Sequence, residues 1–77
     1  MTAVKSQSKG NKIVTLNWSG YTDATVNIYR NGGLQDNVAN ALGTWQESLG
    51  KKPTGPYTYE VCEAGPSMGC ASDSVSY

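Results

Sequence analysis

The sequence predicts an all-β protein with the fold of a seven-stranded antiparallel β-sandwich. Short alternations of apolar and polar residues recur at even spacing along the 77 residues, and turn-forming residues separate them. Nine Gly, five Tyr and two Trp are typical of strands and turns. No segment has convincing helical periodicity. The nearest candidate is residues 34–42, but glycines bracket it and asparagines interrupt it.

Seven segments are predicted to be strands: 2–5, 13–18, 25–30, 33–38, 44–48, 57–63 and 71–77. Segment 13–18 has the clearest alternation and places Trp18 on the core face. Asn31-Gly32 predicts a two-residue hairpin loop, since both residues accept positive φ. Residues 6–11 and 50–56 are predicted to be loops because they are polar or contain Gly and Pro.

The apolar residues on the inward faces of these segments form the predicted core. Its members are Val4, Ile13, Val14, Leu16, Trp18, Val26, Ile28, Leu34, Val38, Leu42, Leu49, Tyr57, Tyr59, Val61 and Val75. Such a core is small for one domain, so we expect backbone hydrogen bonds and a cross-link to contribute to stability.

Two cysteines, Cys62 and Cys70, flank a turn between the last two predicted strands. A disulfide across such a hairpin is geometrically easy. Metal ligation by the two cysteines is disfavoured, because a structural zinc site has four ligands and the chain has no His. A redox pair would need Cys-x-x-Cys before a helix, which is absent. A disulfide predicts an oxidising compartment, either the periplasm or the outside of the cell.

Segments 14–18 and 26–32 resemble strands B and C of a fibronectin type III or similar immunoglobulin-like sandwich. Pro53 lies four residues before Tyr57, and the resemblance implies that Tyr57 makes the tyrosine corner of such a domain. More narrowly, Leu-x-Trp-Ser-Gly, Ile-Tyr-Arg-Asn-Gly and Tyr-Thr-Tyr-x-Val-Cys-x-Ala-Gly resemble modules appended to secreted bacterial proteases and polysaccharide-degrading enzymes. The resemblance covers residues 13–75. The length of 77 residues predicts a single domain, 1–77, and the polar segment directly after Met1 predicts that this domain is excised from a longer secreted protein.

Two features depart from that pattern. The usual Tyr-x-Asp of strand E is replaced by Trp45-Gln46-Glu47. Strict alternation back from Val75 also turns Asp73 inward. The spacing from Cys70 to Val75 is one residue longer than in the modules that the chain resembles. A bulge in the last strand would explain both observations and leaves the facing of Cys70 open.

Composition bears on partners and chemistry. Six Lys and Arg balance six Asp and Glu without a basic stripe, so we expect no nucleic-acid or membrane partner and a monomer. The lack of His excludes Ser-His and Cys-His catalytic pairs, and the acids are scattered along the chain. We therefore expect no enzymatic activity, no cofactor and no metal.

Exposed aromatic rings are the remaining candidates for a binding surface, since a ring offers large contact area at small entropic cost. Trp18, Tyr57 and Tyr59 are assigned to the core by strand parity. Tyr21, Tyr29 and Trp45 remain, although Trp45 also suits a core position.

The expected function is that of a non-catalytic accessory module of a secreted bacterial hydrolase. It would act as a spacer, a stabiliser or a weak docking domain beside the parent catalytic domain. The alternatives are a dedicated binding module for insoluble polysaccharide or collagen-like protein, and a repeat of a cell-surface stalk or adhesin.

Overall fold

The computed structural model describes residues 1–77, and nearly all of its regular structure is β-strand. The strands are β1 (Thr2–Ser8), β2 (Asn11–Asn17), β3 (Thr25–Arg30), β4 (Gly33–Ala39), β5 (Thr44–Gly50), β6 (Pro56–Glu63) and β7 (Cys70–Ser76). One turn of 3-10 helix, η1 (Asn40–Leu42), joins β4 to β5. This three-residue turn is the only helix, and it is too short to cross a membrane.

The strands form two antiparallel sheets, which confirms the predicted all-β class and the seven strands. The first sheet has three strands in the order β1-β2-β5, and the second has four in the order β4-β3-β6-β7. Buried apolar residues come from both sheets, so the core lies between them as in a sandwich.

Eight apolar side chains make the buried core: Val14, Leu16, Trp18, Val26, Ile28, Tyr59, Val61 and Val75. All eight were predicted from strand parity. Three other predicted core residues, Val4, Leu34 and Leu42, are instead 50%, 59% and 61% exposed. Leu42 lies on η1, where the alternation of a strand does not apply.

The exposure of Val4 and Leu34 follows from register. Val4 pairs with Thr15, and both face away from the core. In β4 the register shifts between Leu34 and Asp36, where Gln35 has no partner, so that Leu34 pairs with Tyr29 on the outer face. The extra residue of this bulge turns Leu34 outward, although simple alternation from Val38 would place it inward.

Two hairpins turn on two residues each. At Asn31-Gly32 the φ angles are 50° and 85°, as that sequence predicts. Lys9-Gly10 has φ angles of 52° and 82° and makes a similar turn. The predicted loop over 6–11 is therefore wrong, because β1 continues to Ser8 and β2 begins at Asn11. The polar end of this edge strand carries no burial pattern that would reveal it.

The last strand has no bulge. β6 and β7 pair continuously from Pro56–Ser76 to Cys62–Cys70, so the predicted bulge is wrong. Asp73 does face inward, opposite Tyr59, yet it stays exposed because β7 is an edge strand. Its carboxylate accepts a hydrogen bond from the Ala3 N–H at 2.9 Å, which joins the edges of the two sheets.

Trp18→Ala tests the core. Trp18 is 6% exposed, and its indole N–H donates to Asn40 Oδ1 at 3.1 Å. Truncating a buried tryptophan costs about 3–5 kcal/mol, a large share of the stability of a small domain. We expect the variant to be unfolded or molten by near-UV circular dichroism and chemical denaturation. Val4→Ala, at an exposed valine, is the control, and a wild-type melting curve from Trp18→Ala would contradict this packing.

Asp73→Asn tests the seam between β1 and β7. The N–H groups of Ala3 and then Ser74 hold the pKa of the Asp73 carboxyl below its usual value of 3.8. A lowered pKa contributes stability that is complete above the unfolded-state value and disappears as the pH falls through the folded-state value. We expect wild type to be more stable than Asp73→Asn at neutral pH and the difference to shrink as the pH falls below the usual carboxyl pKa of 3.8. Thermal unfolding across this range measures it, and a pH-independent difference would contradict the contact.

Candidate functional site

Tyr29 is the predicted binding residue that lies on an open sheet face. It alternates with the buried Ile28, so its ring is on the outer side of the four-stranded sheet, where it is half-buried. Its cross-strand partners are Leu34 on β4 and Glu60 on β6. Tyr29 and the exposed Leu34 thus form an apolar pair in a polar surface.

Trp45 faces the interior of the sandwich. It pairs with the buried Leu16 and packs against the core. Its indole N–H donates to Asp36 Oδ2 at 3.0 Å. Because β5 and β4 are edges of the two sheets, this bond joins the second seam of the sandwich.

Tyr21 lies in the connection between β2 and β3 and also packs against the core. Its hydroxyl donates to the Val61 carbonyl at 2.8 Å. Burial, with smaller effects from Glu63 and Glu60, raises the pKa of this hydroxyl. The structure therefore does not bring Tyr21, Tyr29 and Trp45 together on one surface.

The disulfide between Cys62 and Cys70 is present, as predicted. The two residues pair directly across β6 and β7, with Cα atoms 4.1 Å apart, and Cys62 alternates with the buried Val61. Both sulfurs consequently lie on the outer face. Glu60 is close enough to make a three-ligand cluster with them, but sulfurs bonded to each other are not thiolates.

A polar network that no sequence pattern predicted links the two sheets inside the sandwich. Glu47 on β5 accepts hydrogen bonds from Arg30 Nη1 at 2.9 Å and from the Tyr59 hydroxyl at 2.6 Å. Tyr59 is fully buried, as predicted, and burial and the bond to Glu47 strongly raise its pKa. The network satisfies the polar end of a buried ring and one ion pair together.

A second set of carboxylates organises the end of the sandwich where β2 connects to β3. Glu63 is 9% exposed and accepts hydrogen bonds from the N–H groups of Thr22, Asp23 and Gly69. Asp23 in turn accepts hydrogen bonds from the N–H groups of Gly65 and Ser67. These acids are backbone caps that tie the β2–β3 and β6–β7 loops together.

Two glycines allow these acids to approach the backbone. A Cβ atom at Gly69 would lie 2.9 Å from Glu63 Oε2, and one at Gly65 would lie 2.9 Å from Asp23 Oδ2. Tyr57, Tyr59 and Val61 alternate along β6 on the inward side, and the same alternation continued by two residues places Glu63 inward. This alternation is the sequence pattern that could have predicted the buried acid.

Tyr57 is half-buried near the start of β6. Its hydroxyl accepts a hydrogen bond from the Thr54 N–H, three residues upstream, at 3.3 Å. Its ring meets that of Tyr77 edge to face, with centroids 6.1 Å apart. Through these two contacts, Tyr57 connects the loop between β5 and β6 to the residue that follows β7.

An open groove of about 340 Å³ lies at the opposite end of the sandwich from the carboxylates. Five residues line it: Lys5, Ser6, Gln7, Lys12 and Tyr77. Lys5 Nζ donates to the Ser76 carbonyl at 2.9 Å and lies 5.2 Å from the centroid of the Tyr77 ring. Lys12 Nζ donates to Gln7 Oε1 at 2.6 Å. The groove thus combines two held ammonium groups with an aromatic wall.

Glu60 is exposed on the outer face. The other five acids accept hydrogen bonds from protein groups; they are Asp23, Asp36, Glu47, Glu63 and Asp73. Their arrangement suits structural roles.

Comparison of the chain with known protein families, with curated proteins and with solved structures gave no significant match.

Glu63→Gln tests the carboxylate cap. The substitution replaces one acceptor oxygen with an NH₂ group that faces backbone donors, so at least one buried N–H loses its partner. Leaving a buried polar group unsatisfied costs about 1–3 kcal/mol. Glu60→Gln makes the same chemical change at an exposed position of the same strand and is expected to stay within about 0.5 kcal/mol of wild type. Equal stabilities of the two variants by urea denaturation would contradict the capping role.

Proposed function

We propose that this chain is a fibronectin type III-like, non-catalytic module of a secreted bacterial hydrolase that separates and stabilises neighbouring domains. The observation that carries the proposal is the course of the chain. β1 and β7 lie side by side and run in the same direction, since Ala3 contacts Asp73 and Lys5 contacts Ser76. Met1 and Tyr77 are therefore at opposite ends of a domain measuring 38 × 21 × 17 Å. A chain that enters at one end and leaves at the other suits a spacer.

The strand order supports the type III reading. β4 pairs with β3 in the four-stranded sheet, whereas a constant-type immunoglobulin domain has its fourth strand in the other sheet. Trp18 in the core and the bond from the Thr54 N–H to the Tyr57 hydroxyl add support, because a tyrosine corner bonds to backbone just upstream. Secretion is supported by the disulfide, which persists in oxidising compartments.

A dedicated binding module is the second candidate function, and the outer face of the four-stranded sheet favours it. Tyr29 and Leu34 are apolar, adjacent and unoccupied by any other part of the chain. A flat patch of this size would bind insoluble polysaccharide or fibrous protein weakly, because association itself consumes much of the contact energy.

Deleting the domain from its parent enzyme tests the spacer and stabiliser role. We expect unchanged turnover on soluble substrate together with a lower melting temperature of the remaining enzyme. The isolated domain should hydrolyse neither casein nor soluble polysaccharides. Hydrolysis that co-purifies with the isolated domain and is lost with its fold would overturn the proposal.

Tyr29→Thr tests docking, and Thr is chosen because it keeps a high strand propensity. If the domain sediments with insoluble cellulose, chitin or collagen, the dissociation constant should be micromolar or weaker, and Tyr29→Thr should abolish sedimentation. Leu42→Ala, at an exposed leucine on η1, is the control and should bind like wild type. Binding that survives in a folded Tyr29→Thr variant would exclude this face, whereas no binding by wild type would leave the spacer role.

A further inference from the structure

All the lysines of the chain lie on the three-stranded sheet or on the turns at one end of it, although they are dispersed in the sequence. They are Lys5, Lys9, Lys12, Lys51 and Lys52. Strand pairing brings them together, since Lys12 pairs with Gly50 immediately before Lys51. The turn at Gly10 also approaches within 4.0 Å of the Lys51 side chain when a Cβ is placed there. The balanced composition therefore conceals a cationic end.

The groove at this end is cationic because strand parity turns lysines toward the gap between the sheets. Lys5 pairs with the buried Val14, and Gln7 pairs with Lys12, so these side chains point to the inner side of the first sheet. Inward lysines also protect an edge strand from pairing with other chains, and protection alone would account for Lys5. It does not account for Lys12, which lies on the central strand of its sheet.

The acids do not neutralise this end. Glu63 and Asp23 bind backbone N–H groups at the opposite end, and Glu47 forms an ion pair with Arg30 at 2.9 Å. Asp73 lies on the β1–β7 seam, and its carboxylate keeps its negative charge while it accepts hydrogen bonds from the N–H groups of Ala3 and Ser74, so it offsets one of the five lysines. A local excess of positive charge remains, which attracts anions over roughly one Debye length of 8 Å at physiological salt.

We propose that the groove lined by Lys5, Gln7, Lys12 and Tyr77 binds an acidic polysaccharide. Carboxylate or sulfate groups would contact the two ammonium groups. Tyr77 is 37% exposed, and its ring would supply an apolar wall, while Gln7 and Ser6 would supply polar partners for sugar hydroxyls. This inference goes beyond the proposed function, because it assigns a second surface, distinct from the docking face around Tyr29, and names the class of polymer that this surface would bind.

A polysaccharide is favoured over a nucleic acid by the extent of the charge. Nucleic-acid-binding domains usually have an isoelectric point above about 9 and a cationic surface along a whole face. Here the isoelectric point is about 6.1, and the lysines occupy one end. A short anionic segment with hydroxyl groups and an apolar ring face matches the groove better.

The test titrates the 77-residue chain with polygalacturonate and with dextran sulfate, which separates carboxylate from sulfate as the recognised group. We expect weak binding to at least one polymer, no binding to neutral dextran, and weaker binding as salt rises. Neutralising one exposed charge contact is worth up to about 1 kcal/mol, so Lys12→Gln should weaken binding up to about fivefold. Lys5→Gln/Lys12→Gln should weaken it further.

Leu42→Glu is the matched control, because it changes the net charge by the same amount at an exposed position of the opposite end. It should bind within about twofold of wild type. The titrations are repeated with a C-terminal Gly-Ser extension that moves the α-carboxylate away from Tyr77, and we expect binding to be equal or tighter. Melting temperatures close to wild type establish that the variants are folded.

Three outcomes would overturn the inference. One is binding of acidic polymers that Lys12→Gln and Leu42→Glu reduce equally, since the effect would then come from net charge alone. Another is tighter binding of single-stranded DNA or anionic phosphatidylserine vesicles than of either polysaccharide. The third is the absence of any binding to acidic polymers. If the domain then still sediments with a neutral polymer in a Tyr29-dependent way, the groove proposal is wrong while the docking function at Tyr29 stands.

Discussion

The two sheets enclose only eight buried apolar side chains, so this sandwich depends on polar contacts that hold the sheets together. Glu47 of the three-stranded sheet binds both Arg30 and Tyr59 of the facing sheet. The two open seams are joined by Asp73, which binds the Ala3 N–H, and by Asp36, which binds the Trp45 indole. Each contact also satisfies a group that would otherwise remain unpaired at a sheet edge or in the core.

These contacts divide the molecule into a constrained end and an open end. At the constrained end, Glu63 and Asp23 accept backbone hydrogen bonds from both adjoining loops, and the Cys62–Cys70 disulfide closes the hairpin beside them. At the open end, the groove beside Tyr77 is lined by lysines whose charges are not matched by acids. A partner is therefore easier to accommodate at the lysine end, where each ammonium group of the groove has a single neutral protein acceptor, or on the outer face around Tyr29, which no other strand covers.

Much of the fold was predictable because burial leaves a period-two pattern in the sequence. The core positions of β2, β3 and β6 followed from alternation, and the Asn31-Gly32 turn followed from its tolerance of positive φ. The misplacement of Leu34 has a simple cause, since one extra residue in β4 reverses the facing of everything beyond it. The polar half of β1 was missed because an edge strand in solvent needs no alternation.

The sequence by itself determined the fold class, the disulfide and most of the core, because these depend on local alternation and on a pair of cysteines close in the chain. Only the tertiary structure decided the roles of the charged and aromatic residues. Tyr21 and Trp45 became packing residues, Glu63 became a buried cap, and five dispersed lysines were gathered at one end. These outcomes depend on which strands pair across the two sheets and in which register, and residues far apart in the chain meet only once those pairings have formed.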